Sequence, residues 1–209
     1  MTDLNQITEA VIKGEEQEVV GLVQKALSAG NKPGDVLKSL IGGMDVVGER
    51  MQSGDMFIPE VLMSARSMSA AVDILKPLLG EEAVSAVGKV VIGTVKGDLH
   101  DIGKNLVKMM LESAGFEVTD LGVDVTPEKF VQAVQEKSAD LVALSALLTT
   151  TMPMMKVTID ALIENGVREK VKVLVGGAPL TQKFAEAIGA DGYAADAGSA
   201  TQLAKGLMS

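Results

Sequence analysis

The apolar residues of this chain keep a helical period over the first eighty or so positions. They then change to short β-branched runs separated by helical segments. That change restricts the fold more than any other feature, because a helix-period pattern and a strand pattern cannot share one architecture. In the first part Leu4, Ile7 and Val11 recur at helical spacing, then Val19, Val20, Val23 and Leu27. Gly14 and Gly30 end these two segments. Pro33 suits a helix's first turn and leads into Val36, Leu37, Leu40, Ile41, Met44 and Val47. Ser53-Gly54-Asp55 interrupts the pattern. Pro59 opens a fourth helix with Val61, Leu62, Ala65, Met68, Val72 and Leu75 as its buried stripe, closed by Pro77 and Gly80. Four helices with short connections predict a small antiparallel bundle.

In the second part, the run Lys89 to Val95 reads as a buried parallel strand. Helix is expected from Ile102 to Ala114, strand from Phe116 to Leu121 and helix from Pro127 to Glu136. Strand follows at Leu141 to Ala146, helix at Pro153 to Glu164, strand at Val171 to Val175 and helix at Leu180 to Ile188. A short strand at Gly192 to Ala194 and a helix from Ser199 to Leu207 complete the series. Strict alternation means a parallel sheet covered on both faces. The fold class is therefore α/β: an N-terminal four-helix bundle, residues 1–84, followed by a flavodoxin-like, Rossmann-type doubly wound parallel sheet, residues 85–209. The linker falls at Gly80 to Gly88.

Composition narrows the chemistry. Aromatic residues are 2% of the chain, so an aliphatic core is expected, supplemented by 12 Met. The absence of Cys excludes disulfides, thiolate catalysis and cysteine-ligated metal centres. A formal net charge of −9 disfavours nucleic acid and anionic membranes as partners. The N-terminus lacks a signal-peptide pattern, and no apolar run reaches the roughly 18 residues of a membrane span. A cytoplasmic protein is expected.

Ligands of doubly wound sheets bind at the carboxyl ends of the strands. His100, the single His of the chain, lies just after the first strand, within Gly97-Asp98-Leu99-His100-Asp101-Ile102-Gly103. Asp98 is close enough to accept a hydrogen bond from one ring nitrogen, which would fix the tautomer and leave the other nitrogen for a metal or a substrate proton. Equally, Asp98 could cap the helix that begins near Ile102, with Asp101 as the alternative cap. One imidazole without Cys disfavours a protein-built transition-metal cage. It can be an axial ligand to a metal that brings a macrocycle. Gly97, Gly103, Gly176 and Gly177 remove side chains where a bulky ligand would approach. Two other motifs fail. Gly97 to Gly103-Lys104-Asn105 has five residues between its glycines and Asn in place of Ser or Thr, so it is not a phosphate loop. No Gly-x-Ser-x-Gly elbow is present.

Asp98-x-His100-x-x-Gly103, then 41 residues, Ser145-x-Leu147, then 28 residues, and Gly176-Gly177 resembles the cobalamin-binding signature. Upstream, Gly48-Glu49-Arg50-Met51 and Met56-Phe57-Ile58-Pro59 are similar to the helical cap of methionine synthase's cobalamin module. The whole chain resembles the stand-alone corrinoid proteins of methyltransferase systems that act on methanol, methylamines or methoxylated aromatics. The resemblance implies that His100 is the lower axial ligand of cobalt, displacing the cofactor's own base, and that Asp98 holds His100. Thr151, six residues after Ser145, would complete the relay where methionine synthase has Ser. It further implies a cofactor surface of Gly97, Asp98, Leu99, His100, Asp101, Ile102 and Gly103 at the first strand, and Ser145, Leu147 and Thr149 at the third. Gly176, Gly177 and Ala178 would follow at the fourth strand, and Tyr193, Ala195 and Asp196 at the fifth. Met51 and Ile58 match the hydrophobic lid over the upper face of cobalt. The cap's Met51, Met56, Met63 and Met68 would add an adaptable surface.

The function so implied is that of a methyl carrier, a non-autonomous subunit of a multi-component methyltransferase holding cobalamin or a related corrinoid. Its Co(I) accepts a methyl group from a substrate-specific methyltransferase. Methyl-Co(III) is then presented to a second methyltransferase with tetrahydrofolate or coenzyme M as acceptor, and a reductive activator serves the system. The rivals are the cobalamin-binding subunit of a mutase, which normally lacks the cap, and a cobalamin-sensing regulator, which would need a basic DNA-binding segment. A receiver domain would place a phosphoacceptor Asp after its third strand, where this chain has Ser145-Ala146-Leu147.

Overall fold

A computed structural model describes residues 4–79 and 87–208. The chain divides into two compact units, one built of helices and one around a sheet.

The helical unit holds α1 (Leu4–Lys13), α2 (Glu16–Ser28), α3 (Pro33–Ser53) and α4 (Ile58–Leu79). The apolar stripes face one another: Ile7, Val11, Val19, Val23, Val36, Leu40, Met44, Val47, Val61, Ala65, Met68 and Leu75 are buried. Each fully buried aliphatic side chain contributes about 1.5–3 kcal/mol. Small residues set how closely the helices approach. A Cβ on Gly43 would lie 3.0 Å from the Thr8 carbonyl oxygen and from Val11 Cβ, so α1 and α3 cross backbone to backbone. Thr8 Oγ1 donates to the Ser39 carbonyl at 2.9 Å across the same crossing. The fourth helix differs from its expected form in two ways. Pro77 lies inside it rather than ending it, because the pyrrolidine ring forfeits only one ladder bond in the last turn. Its buried stripe also includes Ser64, Ser67 and Ala71, while Leu62 and Val72 are half-buried. Of the expected methionine surface, Met56 and Met68 are buried and Met63 is exposed.

The sheet unit runs β1 (Gly88–Thr94), α5 (Ile102–Ser113), β2 (Phe116–Asp120), α6 (Pro127–Lys137), β3 (Leu141–Ser145), α7 (Pro153–Glu164), a 3-10 turn (Arg168–Lys170), β4 (Lys172–Gly176), α8 (Gln182–Ile188), β5 (Gly192–Ala194) and α9 (Ala197–Leu207). The strands are parallel in the order β2-β1-β3-β4-β5, the flavodoxin-like arrangement. Burial of both Val90 and Ile92 on one side of β1 and Val91 on the other confirms that both faces are covered. Of the expected linker, Gly88 already belongs to β1, and 80–86 lie outside the described residues. The core is aliphatic with two aromatic exceptions, Phe116 and Phe130. Phe130 has a specific seat: a Cβ on Gly93 of β1 would lie 2.8 Å from its ring.

One consequence of the register positions the site. Thr94, Ser145, Gly176 and Ala194 pair in a row across β1, β3, β4 and β5. The loops carrying the three separated sequence elements therefore leave the sheet side by side.

Candidate functional site

Beyond Thr94 the chain turns at Gly97, whose φ of 84° is left-handed, and reaches α5 at Ile102. Asp98 sits inside this loop with 0% of its surface exposed. Burial alone would raise its pKa, and the donors that converge on it outweigh that penalty. Its Oδ1 accepts from the His100 backbone N–H at 3.1 Å and lies 2.7 Å from His100 Nδ1. Its Oδ2 lies 2.7 Å from Thr151 Oγ1 and accepts from the backbone N–H groups of Leu147 at 2.8 Å and Leu148 at 3.3 Å. These bonds hold the carboxyl well below the usual carboxylate range.

An ionised carboxylate only accepts, so it selects the imidazole tautomer with its proton on Nδ1. Nε2 then keeps its lone pair. The His100 side chain is 50% exposed and presents that nitrogen at the carboxyl edge of the sheet. Around it, Leu99 is 71% exposed, Ile102 86%, and Leu147 and Leu148 are also exposed. Among the described residues no three His, Asp or Glu side chains converge as a metal cage. The donor set is one oriented imidazole.

The helix-capping alternative for Asp98 is thereby resolved, since both its oxygens serve His100 and the β3–α7 loop. At the start of α5, Asp101 contacts Asn105 instead, through its carbonyl at 2.7 Å and its side chain at 3.1 Å. Thr151 adds its hydroxyl to the Asp98–His100 pair, and its methyl faces Gly97, 3.6 Å from where a Cβ would stand.

The four glycines divide. A Cβ on Gly177 would stand 1.9 Å from the Ala146 carbonyl oxygen, and one on Gly176 3.2 Å from that of Ala194. Both answer to the chain's own packing, and Gly97 to its left-handed turn. Only Gly103 opens onto free space, with nothing within 4 Å of a Cβ. Ser145 is half-buried at the end of β3, and Thr149, Ala178 and Ala195 are exposed in neighbouring loops. Tyr193 packs against the core, and Asp196 N-caps α9 through Ser199 N–H at 2.8 Å. Met51, half-buried in α3, and Ile58, exposed at the start of α4, belong to the helical unit.

Four contributors had no signal in the motif. Thr94 Oγ1 donates to the His100 carbonyl at 2.8 Å. The backbone N–H groups of Leu147 and Leu148 carry no side-chain signature at all. Asp124, from the β2–α6 loop, accepts from Gly97 N–H at 2.7 Å and donates its own N–H to the Asp98 carbonyl at 3.0 Å.

Asp98→Asn tests the tautomer argument. The amide must aim its NH2 either at His100 or at the Leu147 N–H and Thr151. In the first case the imidazole proton moves to Nε2 and the NH2 faces the His100 backbone N–H; in the second it faces the Leu147 N–H and Thr151; either way donors face each other at a cost of about 1–3 kcal/mol. The expected result is a lower melting temperature of the apo-protein or loss of the Nδ1 proton signal of His100. Wild-type values for both would reduce Asp98 to a turn residue. The sign with pH follows from the lowered pKa. The Asp98 contribution is complete above the ordinary carboxylate range and is lost only as pH falls through its depressed folded value.

Fold and site together define a doubly wound α/β protein that presents one oriented imidazole at the carboxyl edge of its sheet. Comparison with known proteins supplies the family. Residues 88–202 match the model of the B12 binding domain, and residues 3–76 match a second B12 binding domain model. The chain is 46% identical over 206 residues to dimethylamine corrinoid protein 1 of Methanosarcina acetivorans, covering 98% of this chain and 97% of that one. It matches the structure of a cobalamin-binding protein from Desulfitobacterium hafniense with a TM-score of 0.86 and 34% identity, over 100% of both chains. It also matches a chain of the methanol:cobalamin methyltransferase complex of Methanosarcina barkeri with a TM-score of 0.86 and 36% identity, over 98% of this chain and 79% of that one. The chain belongs to the B12-binding family. Among the described residues no helix is long and apolar enough to cross a membrane.

Proposed function

We propose that this protein is the corrinoid-holding methyl carrier of a multi-component methyltransferase system, working in the cytoplasm. The observation that carries the reading is the five-donor seat of Asp98, which fixes His100 Nδ1 and leaves Nε2 as a ligand. The residues fit a corrin: one oriented, half-exposed imidazole, an open Gly103 and an exposed apolar rim of Leu99, Ile102, Leu147 and Leu148. When bound, the corrinoid supplies a cobalt that takes up and gives away a methyl group.

The chain's own residues hold and shield it. His100 would hold the cobalt through Nε2, itself oriented by Asp98 and Thr151, and residues 97–103 would line the cofactor's seat. Ser145, Leu147, Gly176 and Gly177 would line the slot for the displaced nucleotide tail, and Thr149, Ala178, Tyr193, Ala195 and Asp196 would complete the cofactor surface. Residues 1–84 are assigned to the helical domain, with Met51 and Ile58 as its candidate cofactor residues, and residues 85–209 to the cobalamin domain. The partners are a substrate-specific methyltransferase, a second methyltransferase using tetrahydrofolate or coenzyme M, and a reductive activator. The dimethylamine corrinoid protein 1 of Methanosarcina acetivorans, 46% identical and covered almost end to end, favours a methylamine as donor.

The test is reconstitution. The loaded protein with a dimethylamine-specific methyltransferase should pass methyl groups to an added acceptor enzyme, and omitting any one component should stop the flow. Sustained demethylation of an amine by this chain alone would make it an enzyme in its own right and overturn the carrier reading.

A further inference from the structure

Residues 96–101, which carry the histidine, lie in no regular element and are exposed apart from Asp98. Something must hold the Gly97–Asp98 dipeptide, because its torsions aim the carboxylate that aims His100. Two ties come from the loop's own surroundings: Asp98 N–H donates to the Val95 carbonyl at 3.1 Å, and Thr94 Oγ1 donates to the His100 carbonyl at 2.8 Å. The third comes from another loop. Asp124 takes the N–H of Gly97 on its side chain at 2.7 Å and gives its own N–H to the Asp98 carbonyl at 3.0 Å. It brackets the dipeptide from both ends.

The backbone of Asp124 has φ 52°, a left-handed conformation that Asp and Asn tolerate better than other side-chain-bearing residues. It is kept there by its neighbours: Val125 N–H donates to the Thr94 carbonyl at 3.0 Å, and Val95 and Val125 form a parallel bridge. The β2–α6 loop is thus an extension of the sheet, and Asp124 reaches the histidine loop's backbone through its side chain. A residue in a sparsely populated conformation, over-determined by its surroundings and aimed at a ligand-bearing loop, is a signature of a functional constraint.

We infer that Asp124 is a positioning residue, setting the orientation of His100 toward its metal by clamping Gly97 and Asp98. The inference rests on the reading of His100 as axial ligand, and it deepens that site with a partner from outside the motif. Outer partners of metal ligands act by fixing the ligand's orientation and tautomer.

Three variants separate the parts. Asp124→Asn keeps the acceptor and the left-handed preference. Asp124→Gly keeps the backbone freedom and removes the acceptor. Asp124→Ala loses both. Because His100 is the only His in the chain, its ring signals in apo-protein nuclear magnetic resonance are unambiguous. The expected result is that Asp124→Gly and Asp124→Ala fold, but lose the exchange-protected Nδ1 proton signal of His100 in the apo-protein. They should also bind aquocobalamin about tenfold more weakly, the lower end of what losing an outer partner costs a metal site. Asp124→Asn should restore both. Wild-type signal and affinity in Asp124→Gly would overturn the inference, and so would failure of Asn to rescue, which would assign the effect to charge. If wild-type protein binds the corrinoid without His100 nitrogen coupled to Co(II), the axial-ligand reading fails instead. The apo-protein proton signal still decides whether Asp124 holds the imidazole.

Discussion

Replacing His100 by Ala should abolish the nitrogen coupling that an axial imidazole imprints on the Co(II) electron paramagnetic resonance spectrum. The structure makes the expectation sharp. Nδ1 is taken by Asp98 at 2.7 Å, so Nε2 is the nitrogen left for coordination, and the chain contains no second imidazole. Corrinoid affinity should fall by at least the roughly 10–100-fold that loss of an outer partner costs a metal site, because here the ligand itself is removed. The fold should tolerate the change, since the imidazole is half exposed and Asp98 keeps the Leu147, Leu148, Thr151 and His100 backbone donors. Coupling that survives in His100→Ala would mean that the nitrogen on cobalt belongs to the corrinoid's own base.

The second large effect falls on Gly177 and touches the fold first. Its φ is 140°, and a Cβ would stand 1.9 Å from the Ala146 carbonyl oxygen. The obstacle is backbone, and that backbone is itself tied, because Ala146 N–H donates to the Gly176 carbonyl at 3.2 Å. An Ala at this position has no flexible neighbour to displace. Overpacking costs about 1–3 kcal/mol and a strained torsion a similar amount. For a chain of this size each 1 kcal/mol lowers the melting midpoint by roughly 2–4 °C. Gly177→Ala should therefore lower the melting midpoint of the apo-protein by about 5–20 °C. Gly103→Ala is the matched control. Nothing lies within 4 Å of its Cβ position, and Ala is the better helix former. It should leave the melting of the apo-protein unchanged or raised while weakening corrinoid binding, because the methyl group occupies the space left for the ligand. If Gly177→Ala melts like wild type, the contact between the β3 and β4 loops is looser than its geometry indicates. If Gly103→Ala binds normally, the open space beside it is not where the corrin lies.

This contrast shows how far residue types can be read without coordinates. All four glycines at the strand ends suggest room for a ligand. Gly176 and Gly177 answer to the chain's own packing and Gly97 to its left-handed turn, and only Gly103 is open. Likewise Leu147 reads as a slot-lining side chain, yet its backbone N–H is one of the donors that keep Asp98 ionised. A backbone donor leaves no trace in residue identity. Phe130 was invisible for a similar reason: two aromatic side chains enter an otherwise aliphatic core because Gly93 vacates the space for one of them.

What the sequence determined by itself is whatever depends on short-range periodicity or on the identity of a reacting group. The switch from helical stripes to alternating strand and helix set two units and a parallel sheet, because each period buries only one kind of face. Asp98 two residues before His100 set the carboxylate–imidazole pair, because that spacing leaves the two side chains within reach in a single turn. Tertiary structure decided what depends on register between distant strands. The row Thr94, Ser145, Gly176 and Ala194 brings Thr151 and the Leu147 N–H to Asp98, and the Val95–Val125 bridge brings Asp124 to Gly97. No local pattern encodes these meetings. They arise where parallel strands, aligned by the burial of Val and Leu side chains in their centres, release their loops at a common edge.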